Sequence, residues 1–226
     1  MCGRFAQYRS RDDYFEAAGI RPDEILYDPE PIGRFNVAPG RQVLLLNARN
    51  EGLFLDPVFW GYGPEWWQKQ PLINARGETA ASSRMFKPLW SRGRAVVPED
   101  GWYEWKKNGN KKQPYFIYRA DKQPLFFAAI GRAPFNEDHG REGFVIVTAD
   151  SNQGMVDIHD RRPLVLYPDA VREWLSNETR SERAEEIIHH GVLPETAFAW
   201  HPVSRAVGNI RNHGENLIAR IENPEI

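Results

Sequence analysis

The chain has 226 residues, 41% hydrophobic and 27% charged, the composition of a folded protein with a substantial core. Its formal net charge of −2 gives no global support for nucleic-acid binding, so any such surface must be a local basic patch. One cysteine, Cys2, excludes intramolecular disulfides and Cys–Cys zinc sites. The first twenty residues lack the apolar stretch of a signal peptide, and no segment approaches the roughly 20 apolar residues of a membrane span. A cytoplasmic protein with no membrane partner is expected.

Ser10-Arg11-Asp12-Asp13 has the form of a capping box, with Asp in place of the usual Glu, and predicts a helix through Ala18 that ends at Gly19. Residues 20–31 contain three prolines and read as a loop. Asn36–Gly40 reads as a turn, followed by strands at 42–46 and 53–60. An aromatic loop from Gly61 to Trp67 follows. Ile73–Arg76 leads into a helix over Glu78–Phe86, which is expected to stop before Pro88. Strands are predicted at 95–97 and 102–106, with an Asn108-Gly109 hairpin signature and a return strand at 115–119. Further strands are predicted at 125–130, 144–148, 164–166 and 199–203. Pro168 opens a helix through Leu175, and a second helix, Ser181–His190, ends at Gly191. No internal repeat or low-complexity linker interrupts the chain. The expected fold is α+β, a single domain over 1–226, with a curled, barrel-like mixed or antiparallel β-sheet and peripheral helices.

Cys2 is the first candidate for chemistry. Removal of Met1 makes it a 1,2-aminothiol, with an amine of reference pKa about 8 and a thiol of about 8.5. The amine condenses with an aldehyde to an imine, and the thiol closes a five-membered thiazolidine. Taken alone, a lone cysteine near a chain start is more often incidental, a small buried hydrophobe, than chemical. Arg4 sets a permanent cation beside it, expected to favour the thiolate and to grip a phosphate. Asn74 and Arg76 share one face if the segment is extended, though Asn74 also reads as a helix cap.

In Gly101-Trp102-Tyr103-Glu104-Trp105, Trp102 and Glu104 share one strand face. A carboxylate on an aromatic face is expected to have a raised pKa, suited to acid–base work. His159, in Asp157-Ile158-His159-Asp160-Arg161-Arg162-Pro163, is the best proton-transfer candidate of six histidines, oriented by Asp157 or Asp160. Trp66 and Trp67, near Arg84-Met85-Phe86, stack on unpaired bases if exposed and are core if not. Neither a metal motif nor a phosphate-binding glycine loop is present.

Seven short motifs occur in order: Cys2-Gly3-Arg4-Phe5 after Met1, Asn36-Val37-Ala38-Pro39, Trp60-Gly61, Asn74-Ala75-Arg76-Gly77-Glu78, Gly101–Trp105, His159–Pro163 and His201-Pro202-Val203-Ser204. Together they resemble the bacterial members of the SRAP (SOS-response-associated peptidase) family, from residue 2 to about Asn212. The tail from Gly214 carries none of the resemblance.

The resemblance implies a sensor of abasic sites in single-stranded DNA. It implies that the mature N-terminal cysteine forms a thiazolidine crosslink with the ring-opened sugar, with thiol autopeptidase removal of Met1. Mapped by motif, it assigns catalysis to Cys2, Asn74, Glu104 and His159. It assigns DNA contact to Arg4, Pro39, Trp66, Trp67, Arg76, Arg84, Met85, Arg161 and Arg162, although some relatives carry Met where Arg162 stands. It implies no cofactor and no metal; the partner is abasic single-stranded DNA, which would draw the protein to the nucleoid. A monomer is expected. Two other readings remain: an N-terminal-nucleophile cysteine peptidase or amidohydrolase using Cys2 and His159, and a single-strand-binding module without chemistry.

Overall fold

Side-chain alternation along three neighbouring strands decides which face lies toward Cys2. In the computed structural model, which describes residues 2–21, 29–49, 52–132, 140–222 and 224, every residue of β6 (Arg94–Glu99) and β9 (Leu125–Gly131) is buried. Ala95, Val97, Leu125, Phe127 and Ala129 enter one core, whereas Val96, Phe126, Ala128 and Ile130 enter another. In β10 (Phe144–Asp150), Phe144 and Ile146 join the first core, and Val145 and Val147 the second. A strand buried on both faces is a continuous apolar run, the pattern of a layer covered on each side.

That layer is a sheet in the order β11-β10-β9-β6-β3-β4, with β3 Gln42–Arg49, β4 Gly52–Phe59 and β11 Arg161–Pro163. β5 (Asn74–Arg76) pairs in parallel with β10, so the sheet is mixed. A second, antiparallel sheet has the order β12-β8-β7-β1-β2, with β1 Phe5–Gln7, β2 Arg34–Val37, β7 Gly101–Asn108, β8 Lys111–Arg119 and β12 Phe198–Pro202. The sheets are curled without closing, with helices at the periphery, in accord with the expected α+β class.

The first core fills the space between the sheets; it holds Cys2, Phe5, Trp60, Trp102, Phe127, Met155 and Phe198. The second lies under α3 (Lys87–Arg92), α4 (Pro168–Leu175) and α5 (Ser181–His190), where Trp90 and Trp174 meet edge to face at 5.4 Å. Buried Arg94 ties α3 and α4 to the sheet: its guanidinium donates to the carbonyls of Trp90, Trp174, Ser176 and Thr179 at 2.6–2.8 Å. These are carbonyls that helix ends leave unpaired.

α1 (Arg11–Ala17) forms as expected, with Ser10 and Asp13 completing the capping box, and Gly19 closes it at φ +64°. Of the 20–31 loop, residues 22–28 lie outside the described residues. Three expectations need correction. The helix over Glu78–Phe86 is only α2, Gly77–Ala80, followed by turns, and α3 then runs through Pro88. Proline lacks the N–H that a first helical turn leaves unpaired anyway, so Pro88 starts a helix instead of ending one. The strand predicted at 164–166 forms upstream, as Arg161–Pro163 against β10; Val165 and Leu166 make only single bridges, although both are buried and take part in backbone hydrogen bonds. Asn36 and Val37 lie in β2, so the turn is confined to Pro39–Gly40. The segment after Gly214 packs on the outer face of the second sheet through Leu217, and Ile221 N–H donates to the Pro202 carbonyl at 3.0 Å.

Candidate active site

Cys2 stands just ahead of β1, wholly buried between the sheets. Asn74, the first residue of β5, donates from Nδ2 to the Cys2 carbonyl at 3.1 Å. Its Oδ1 is buried and has no hydrogen-bond partner among the described residues. The Asn-x-Arg segment is therefore a strand: Ala75 turns to the helix-side core, and Asn74 and Arg76 share the opposite face.

Glu104 reaches Cys2 from the other sheet. β7 alternates, so Tyr103 joins the small cluster on the outer face of the second sheet while Trp102 and Glu104 face inward. Glu104 is 3% exposed, and this burial pushes its pKa from 4.5 to about 7 against the positive charge of the chain's amino end. The expected rise at this position is present.

His159 closes the cluster, with Nε2 4.0 Å from Glu104 Oε2. The preceding 3₁₀ turn, Gln153–Asp157, drives Met155 into the inter-sheet core, and the Met155 carbonyl accepts the His159 N–H at 3.1 Å. Nδ1 accepts the Arg161 N–H at 3.0 Å and lies 2.9 Å from Asp160 Oδ1. One nitrogen serves only one of these at a time. The Arg161 bond needs Nδ1 bare, which places the proton on Nε2, facing Glu104; pairing with Asp160 needs a proton on Nδ1. Burial, joined by the positive amino end, lowers the His159 pKa and favours the neutral ring. Of the two aspartates expected to orient the ring, Asp160 stands at Nδ1 and Asp157 is exposed to solvent.

The Cys2 thiol departs from expectation. Its pKa is pushed well above the ordinary value, first by burial and then by the carboxylates of Glu104 and Glu99. Arg4 does not supply the counter-charge expected of its guanidinium. Its Nη1 donates to Asn36 Oδ1 at 2.7 Å and to the Val207 carbonyl at 2.5 Å, and the group lies 5.7 Å from the centre of the Trp105 ring. What Arg4 gives the thiol is a backbone hydrogen bond, a smaller lowering effect.

Sequence reasoning missed Glu99. It is fully buried at the end of β6 and shares the inward parity of Ala95 and Val97. Oε2 accepts the Gly101 N–H at 2.6 Å, and burial pushes its pKa well up. The available signal was an acid closing an otherwise apolar strand, Ala95-Val96-Val97-Pro98-Glu99.

The geometry thus gathers a thiol next to the chain start, a carboxyl group that titrates near neutrality, a neutral imidazole and an amide. The family model described as SOS response associated peptidase (SRAP) matches residues 1–210. The chain belongs to this family.

It is 64% identical to the abasic site processing protein YedK of Escherichia coli, over 96% of this chain and 99% of that one. It is 33% identical to the abasic site processing protein YoqW of Bacillus subtilis, over 96% of this chain and 99% of the relative. Against the abasic site processing protein HMCES of Xenopus tropicalis the identity is 32%, over 98% of this chain and 78% of the relative. Among solved structures, a phage-related protein from Bordetella bronchiseptica superposes with a TM-score of 0.75 at 39% identity, over 90% of this chain and 95% of that one.

The residues that the SRAP resemblance assigns to DNA divide by environment. Trp66 is 53% exposed, Arg84 lies 5.3 Å from the centre of its ring, and Trp67 stands edge-on to it at 6.2 Å. Trp67 is half-buried, tied by Nε1 to the Gln70 carbonyl and packed against the helix-side core, in which Met85 is buried. Arg76 is exposed and has no carboxylate partner among the described residues; Pro39 is half-buried just past β2.

Arg161 and Arg162 are committed inside the protein. Arg161 binds Glu78 at 2.8 Å and Asp150 at 2.6 Å, and also donates to the Thr148 carbonyl and hydroxyl. Arg162 pairs with Glu195 at 2.7 Å, both side chains 8% exposed.

Proposed function

We propose that this SRAP chain recognises abasic sites in single-stranded DNA and captures them covalently through a mature N-terminal Cys2. The observation that carries the reading is that Asn74 and Glu104 meet Cys2 from two different strands, with His159 4.0 Å from Glu104. The names of the relatives, all abasic site processing proteins, support the substrate class. Autocatalytic loss of Met1, by the same thiol and acid–base groups, exposes the amine.

The reaction balances as follows. An abasic deoxyribose is mostly a closed hemiacetal, and His159, neutral with its proton on Nε2, assists ring opening to the aldehyde. The Cys2 amine adds to the aldehyde carbon, and Glu104, titrating near neutrality, takes the amine proton and returns it to the departing hydroxyl. Water leaves and an imine forms. The Cys2 sulfur then adds to the imine carbon while its proton passes to the imine nitrogen, closing the thiazolidine with no oxidant or cofactor.

Because the thiol's pKa is high, the sulfur needs a base at that step, and Glu104 is the carboxylate at hand. Asn74 holds the Cys2 carbonyl and so fixes the direction of the amine. Trp66 stacks on an unpaired base, and Arg76 and Arg84 offer uncompensated charge to phosphates.

The test is intact-mass spectrometry with abasic and undamaged oligonucleotides. The expected result is protein lacking Met1 that gains the oligonucleotide mass, less one water, only with abasic DNA, and a Cys2→Ala variant that gains nothing. An undiminished adduct from Cys2→Ala overturns the mechanism. Repeated turnover of a peptide panel without DNA would favour the amidohydrolase reading instead.

A further inference from the structure

A cavity of about 420 Å³ opens beside β2, lined by residues 33–38, Arg41, Ile210, Arg211 and His213. Four basic side chains, Arg34, Arg41, Arg211 and His213, line it and all are exposed. No Asp or Glu is among the lining residues, and none of the four pairs with a carboxylate among the described residues. In a chain with 29 Lys and Arg against 31 Asp and Glu, three arginines without an acid among the lining residues are a local excess of positive charge. Arg34 is steadied at the rim, its Nη1 donating to the Gln42 carbonyl at 2.6 Å, which leaves its other donors for a ligand. The cavity also has apolar surface. Phe35 is locked by stacking on Tyr8, 4.8 Å apart with planes 16° from parallel, and Ile210 is 46% exposed. Basic donors around an apolar floor fit a nucleotide: phosphate on the arginines, base or sugar on the hydrocarbon.

The cavity is joined to the Cys2 site by shared structure. Asn36, in its wall, accepts from Arg4 Nη1 through Oδ1 at 2.7 Å. The same side chain pins the far wall, donating from Nδ2 to the Asn209 carbonyl at 3.1 Å and the Asn212 carbonyl at 3.0 Å. β2 pairs antiparallel with β1, Phe5 opposite Val37, so its exit toward Pro39 runs back along the start of the chain. Arg4 and the β1–β2 pairing thus tie the cavity wall to the segment that carries Cys2.

We infer that this cavity is a second subsite for the same DNA strand, taking a nucleotide beyond the lesion with its phosphate on Arg41 and Arg211. The inference rests on the DNA reading proposed above. An acidic peptide shares the charge, but continuity with Arg4 and the Cys2 end favours the strand.

The experiment measures affinity, by fluorescence anisotropy over a salt series, for strands carrying a tetrahydrofuran abasic analogue, which has no aldehyde and does not crosslink. A minimal strand is compared with strands extended on the 5′ side only or the 3′ side only. The native protein should gain affinity on extending one side and not the other. In the Arg41→Ala/Arg211→Ala variant that gain should disappear, and the salt slope on the extended strand should fall by about 1.4, two phosphate contacts at about 0.7 each.

The Arg41→Lys/Arg211→Lys variant should restore the slope. Equal slopes for the native and alanine proteins on the extended strand, or the same loss on the minimal strand, would overturn the subsite. Crosslinking to a minimal true abasic strand is followed in parallel. Its absence from the native protein defeats the covalent reading, whereas its presence with unaltered length dependence defeats only the cavity.

Discussion

Glu104 is held in the fold against its own ionisation, and Glu104→Gln should reveal this as a pH-dependent gain in stability. The carboxyl group is 3% exposed with a pKa of about 7, against 4.5 for the ordinary side chain. For an acid whose folded pKa is raised, the native state keeps a proton that the unfolded chain releases. Its contribution is fully present below about 4.5, is lost as pH rises to about 7, and is constant above that. At about 1.4 kcal/mol per pH unit, the loss across this window is about 3 kcal/mol. Glutamine keeps the shape and cannot ionise.

The expected outcome is that the stability of Glu104→Gln relative to the native protein rises by up to about 3 kcal/mol between pH 4.5 and pH 8. The lowering effect of the chain's amino end is already contained in the value of about 7. Urea denaturation at intervals across the range gives both curves, with the slope in urea checking that compactness is unchanged. Over the same range the native crosslinking rate should climb as Glu104 loses its proton, and the variant should be slow and flat. Parallel stability curves would refute the burial argument, and a variant rate that climbs like the native one would remove Glu104 from proton transfer.

Arg162→Ala leaves the Glu195 carboxylate buried without its partner and should destabilise by about 3–5 kcal/mol, read by denaturation; lost DNA affinity with unaltered stability would place Arg162 at the DNA instead. Trp66→Ala removes an exposed ring, so stability should stay within about 0.5 kcal/mol while single-strand affinity falls by about 1–3 kcal/mol in anisotropy titrations. Arg76→Ala should flatten the salt dependence of binding by about 0.7, whereas Arg161→Ala, whose charge is met by Glu78 and Asp150, should lower stability and leave the slope alone. Equal flattening in both would mean that the Arg161 ion pairs give way to phosphate.

Long periodic elements were legible in the sequence because one physical rule decided each. The 168–175 helix has Pro168 in its first turn, the 181–190 helix stops at Gly191, and β7 and β8 are joined by a glycine turn in which Gly109 takes a φ of +58°. Three-residue strands carry no period: β1 and β5 exist because neighbours supply their ladders, Phe5 opposite Trp102 and Asn74 opposite Ile146. The inward direction of Glu104 was readable from its parity with Trp102. The fates of the arginines were not, since a sequence shows a charge and not its counter-ion. Arg4 is spent on Asn36 and a carbonyl, Arg161 on two carboxylates and Arg162 on one, which leaves Arg76 and Arg84 exposed.

The same dry space that makes Glu104 a usable acid–base group makes Cys2 a poor nucleophile at rest. Burial raises both groups, and each negative charge there would raise the other further. The thiol therefore stays protonated while the site is empty, protected from oxidation, which requires thiolate and exposure. In the capture proposed above, the amine therefore adds to the aldehyde first, and the still-protonated sulfur closes the ring on the imine afterwards. The raised thiol pKa thus favours amine addition before ring closure in the proposed capture.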